Sequence, residues 1–77
     1  MPYEPVRLTG EQLQGLLRIA NEQLVSIENE RYAGVRLDEP NMQWMIGVVV
    51  GVAACLRRMG YVNEARLVQR ELKRSVG

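Results

Sequence analysis

Residues 44–56, WMIGVVVGVAACL, hold no charged side chain and almost no polar one. A segment that apolar must be covered on all sides by lipid, by its own chain or by another chain. The uncharged apolar run reaches from residue 42 to residue 56, which is 15 residues with Gln43 inside it. A membrane-spanning helix needs about 20 apolar residues and at least about 17, so the length argues against lipid. The β-branched heart of the run, IGVVVGV, also reads as a buried strand. Strands are usually about 4 to 8 residues long, and the longer apolar segment favours a helix.

Read as a helix, the run divides into faces. Met42, Met45, Val49, Val52, Leu56 and Met59 recur at alternating spacings of three and four, a heptad-like seam suited to a core. Trp44, Gly47, Val48, Gly51, Ala54 and Cys55 line a second face, and Ile46, Val50 and Ala53 fill what remains. Gly47, Gly51 and Cys55 repeat every four residues, giving a smooth strip that another backbone can approach closely. Two occupants fit that strip. One is a second chain, most simply the same helix across a two-fold axis. The other is the first helix of the same chain. Trp44, Gly47, Val48, Gly51 and Cys55 are therefore the candidate protein interface.

The flanks supply the other helices. LTGEQL carries a helix start: Thr9 as N-cap, Gln12 three residues on as its capping-box partner, and Leu8 and Leu13 at the staple positions. Leu13, Leu17, Ala20, Leu24 and Ile27 then form one apolar stripe, widened by Leu16 and Ile19, and Gly34 is a natural stop. The spacing predicts a long helix over residues 10–33. A central helix over 40–59 follows, with Asp38 as its expected cap and Pro40 in its first turn. Arg57 and Arg58 suit its C-terminus and Gly60 its left-handed stop. A short third helix over 64–75 is expected next, capped by Asn63, stapled by Val62 and Leu67, with Ala65, Val68 and Leu72 facing inward. Ahead of them all, MPYEPV with its two prolines reads as an extended arm over residues 1–8.

MGYVNEA resembles the turn between the two helices of a tetratricopeptide unit, with Gly60 and Ala65 five apart. The resemblance covers that one turn, since Val49 and Ala53 stand where the motif has an aromatic and a glycine. What it implies is a helical hairpin. The fold class expected is all-α: one small domain of three helices. Helices pack about 8 to 10 Å apart, so two neighbours leave a sector of the central helix open. A third helix of about 18 Å is too short to reach the Trp44 end of a central helix of about 30 Å.

The chemistry-bearing residues are few. The chain has no histidine and one cysteine, Cys55, so it lacks an internal disulfide and the base for Ser-His or Cys-His catalysis. On an apolar helix face Cys55 reads as inert packing. Gly47 and Gly51 are not followed by the Lys and Ser/Thr of a phosphate loop. Glu22, Glu28, Glu30, Asp38 and Glu39 lack matching carboxylates on a facing helix and read as a solvated face. No metal and no cofactor is expected, and no enzymatic activity.

Charge is split along the chain. Residues 1–56 hold four Arg against seven acids, while residues 57–77 hold six cations against two acids. Arg66, Arg70, Lys73 and Arg74 fall along one side of the third helix, with Arg57 and Arg58 just before its turn. That basic face suits an acidic partner or nucleic-acid phosphates, or else a solvated surface partly paired with the acids of the first helix. The expectation is a small interaction or regulatory protein that binds another protein, of the inhibitor or adaptor type found among phage- and plasmid-encoded regulators, and dimerises through its central helix. A nucleic-acid-binding regulator using the basic helix is the alternative. The start of the sequence has neither the cationic head nor the apolar run of a signal peptide, and the lone thiol suits a reducing compartment, so a cytoplasmic location is expected.

Overall fold

The computed structural model describes residues 7–77 and consists of three helices: α1 (Gly10–Tyr32), α2 (Pro40–Arg58) and α3 (Val62–Val76). No strand occurs among the described residues, so the β-branched run of α2 is helical throughout. Of the expected arm, only Arg7 and Leu8 lie within the described residues.

Local chemistry sets the helix ends. Thr9 caps α1 by accepting from the Gln12 backbone N–H at 3.1 Å, while the Gln12 side chain accepts from the Thr9 N–H at 3.0 Å. This reciprocal pair satisfies two donors that the first turn leaves orphaned. Gly34 ends α1 at φ 88° and Gly60 ends α2 at φ 91°, in the left-handed region that favours glycine. Each builds the same two-bond terminus. Gly34 and Val35 donate to the Arg31 and Glu30 carbonyls, and Gly60 and Tyr61 donate to the Arg57 and Leu56 carbonyls.

Two expected caps are corrected. Glu39, without a side-chain cap bond, precedes α2, and Asp38 instead pairs with Arg36 at 3.1 Å. Pro40 at the first position explains the tolerance, because it presents one orphan donor fewer. α3 begins at Val62, with Tyr61 at its N-cap and Asn63 inside its first turn. The Gly60 terminus already turns the chain, so no further loop residues are needed before α3. Its 15 residues span about 22 Å rather than the expected 18 Å. With Tyr61 at the N-cap, Val62 is the first residue of α3 and does not precede its cap, so Val62 and Leu67, both exposed, do not occupy the expected staple positions.

Met42, Val49, Val52, Ala53 and Leu56 of α2 are buried against Ala20, Leu24 and Ile27 of α1 and Ala65 and Val68 of α3. Both outer helices pack on α2 and on each other. Polar ties fix their relative direction. The Tyr61 hydroxyl, beside the start of α3, bonds the Leu8 backbone just before α1, accepting from its N–H at 3.2 Å. At the far end, buried Ser75 donates to Glu28 at 3.0 Å, and its carbonyl accepts from Arg31 at 2.6 Å. α1 and α3 thus run in the same direction, with α2 against them. No helix among the described residues is long and apolar enough to cross a membrane.

Candidate protein-interaction face

α2 exposes the side opposite its core seam. Trp44 is 64% exposed and Val50 51%, and Gly47, Gly51, Ala54 and Cys55 are exposed beside them. Apart from the local helix, no heavy atom lies within 4 Å of the place where a β-carbon would stand at Gly47 or Gly51. α1 therefore does not seat on the glycine strip. It packs on the seam instead, where larger side chains fill more of the space between helices. Of the candidate interface residues, the structure places Trp44, Gly47, Gly51 and Cys55 on one open face and Val48, half-buried, at its edge.

Two members of this face, Val50 and Ala54, were not among the candidate residues. For Ala54 a signal is present in the sequence. Trp44, Gly47, Gly51, Ala54 and Arg58 alternate by three and four, two residues out of step with the buried seam. All five are exposed. α2 thus carries two seams of the same period on opposite sides, one filled by its own chain and one open.

Cys55 is corrected from packing residue to surface residue. It is exposed, with its sulfur 3.8 Å from the Met59 sulfur. A shallow hollow lined by Gln23, Ser26, Glu30, Asn41, Trp44 and Met45 runs beside the tryptophan, where α1 meets α2. The two ends of the open face differ in charge. Asp38 and Glu39 stand at its N-terminal end and Arg57 and Arg58 at its C-terminal end.

The basic residues are also exposed. Arg66, Arg70, Lys73 and Arg74 all point away from the core, and Arg57 donates to Gln69 at 2.6 Å, tying α2 to α3. Among the described residues the only ion pair on α3 is Arg74–Glu71 at 3.7 Å. No ion pair joins α3 to α1 among the described residues, so the expected partial pairing with the acids of α1 is absent. The polar link between those helices runs through Ser75 instead. No group of three or more His, Cys, Asp or Glu side chains placed to hold a metal ion occurs among the described residues. Compared with protein-family models, with curated proteins and with solved structures, the chain matches none.

Proposed function

We propose that this chain is a non-enzymatic interaction protein that works by docking a helix of another polypeptide onto the open face of α2, and that its simplest partner is a second copy of itself. The observation that carries this reading is the exposed Trp44-Gly47-Val50-Gly51-Ala54-Cys55 surface, which neither α1 nor α3 covers. A tryptophan beside glycines combines a large apolar contact with a backbone that a partner can approach closely. In water, covering such a surface is favourable at about 25 cal/mol per Å² of apolar area.

One helix-on-helix contact buries less than the roughly 1,600 Å² of a standard stable interface. Association is therefore expected at micromolar chain concentrations. Sedimentation equilibrium over that range should show a monomer–dimer equilibrium, and Gly51→Leu should shift it at least tenfold toward monomer while helicity is retained. A wild-type monomer at every concentration would exclude self-association.

A second reading rests on Arg66, Arg70 and Lys73, which are exposed and form no ion pair among the described residues. With Arg57, Arg58 and Arg74 they form a basic surface suited to an acidic protein or to phosphates. Nucleic-acid binding through it would weaken steeply as salt rises. Absent or salt-insensitive binding of DNA and RNA in a filter or anisotropy titration would remove this reading.

A further inference from the structure

We infer that the occupant of the open α2 face is α2 of a second copy running antiparallel, crossed at a shallow angle about a two-fold axis that passes between the helices at the level of residue 49. This inference rests on the self-association reading and specifies its geometry. Its basis is the form of the outward seam. Trp44, Gly47, Gly51, Ala54 and Arg58 alternate by three and four. That spacing keeps a seam facing a neighbouring helix only when the helices cross at about 20°.

Side-chain size selects the direction. In a parallel pair each seam residue faces its own twin, so tryptophan meets tryptophan while glycine meets glycine. The helices would be forced apart at one layer and left unfilled at the next two. The antiparallel pair sets Trp44 against Ala54 of the second copy and Gly47 against its Gly51. Large faces small, and the two glycine layers allow the backbones to close in. Half-buried Val48 then meets its twin along one flank and exposed Val50 meets its twin along the other.

Charge selects the same direction. A parallel pair stacks Arg57 and Arg58 on their twins, and Asp38 and Glu39 on theirs. The antiparallel pair brings the arginine end of each copy to the Asp38–Glu39 end of the other. Arg58 and Glu39 are both exposed, and neither forms an ion pair among the described residues. Like charges in contact disfavour a wrong arrangement more strongly than exposed opposite pairs favour the right one. The face is thus self-complementary in one direction, as a two-fold interface requires.

Disulfide trapping tests the arrangement. In a Cys55→Ala background, Val50→Cys and Ala54→Cys each add one thiol at an exposed position, so neither removes a core contact; circular dichroism verifies the fold. Position 50 lies next to the two-fold axis, about 3 Å from its twin along the helices and on the same flank, so a small helix movement brings the two thiols together. The two copies of position 54 stand about 15 Å apart along the helices, beyond disulfide reach. Mild oxidation should cross-link Val50→Cys dimers at least tenfold faster than Ala54→Cys dimers. The opposite preference would overturn the antiparallel direction while leaving self-association intact. Equal trapping, or no trapping of a chain that sediments as a dimer, would overturn this register or face. A chain that sediments as a monomer would remove the inference together with the self-association on which it rests.

Discussion

The two seams of α2 have the same period and opposite contents. The inward one, Met42-Met45-Val49-Val52-Leu56-Met59, holds long or branched side chains that are buried or half-buried. The outward one, Trp44-Gly47-Gly51-Ala54-Arg58, keeps the spacing but replaces bulk with glycine and alanine in its middle. The contrast separates what periodicity controls from what volume controls. Periodicity determines that a face can meet a helix. Side-chain volume determines how close that helix comes, and here the bulky seam is the one that α1 and α3 fill while the small-residue seam stays exposed.

The largest effect should come from the inward seam. Leu56 is fully buried between α1 and α3. Leu56→Ala removes its side chain from a packed site and should cost about 2–5 kcal/mol. In a chain of 77 residues that is a large share of the whole stability. Urea unfolding at submicromolar concentration, where association does not contribute, would measure it. A cost below about 1 kcal/mol would show that the inward seam does not hold the fold. Gly51→Leu on the outward seam sharpens the contrast. It adds a side chain where the chain alone has space, so it should leave the dilute monomer folded and act on association instead.

Much of this arrangement was legible in the sequence. The capping box at Thr9, the stops at Gly34 and Gly60 and the inward seam depend on bonds and contacts within a few residues or on a strict period. They are found where their residue types place them. Asn63 was misleading because cap preference is a local tendency, and the terminus at Gly60 had already started α3 before it. Whether α1 covers the glycine strip was not legible. That depends on where α1 sits around α2, a choice among packings whose local patterns look alike. Val50 is missed for the same reason, because no local signal separates an apolar residue buried by a neighbouring helix from one left open.

The smallest effect is the most discriminating, because its sign depends on concentration. Glycine inside a helix costs about 0.5–1 kcal/mol relative to alanine, from the extra freedom it loses on folding. At Gly47 the chain itself places nothing against a new methyl group. Gly47→Ala should therefore stabilise the dilute monomer by up to about 1 kcal/mol, raising Tm by a few degrees. If the strip were packed within the chain, the same methyl would overpack it and lower Tm. At high concentration the proposed dimer would add stability through mass action, so the wild-type Tm should climb with concentration. The added methyl would hold the two backbones apart at the glycine layer, so the variant should climb less. The two Tm curves are then expected to converge, and to cross where the lost association exceeds the gain in helix propensity. Parallel curves at every concentration would mean that Gly47 does not face a partner, and the outward seam would be left with nothing to distinguish it from ordinary exposed surface.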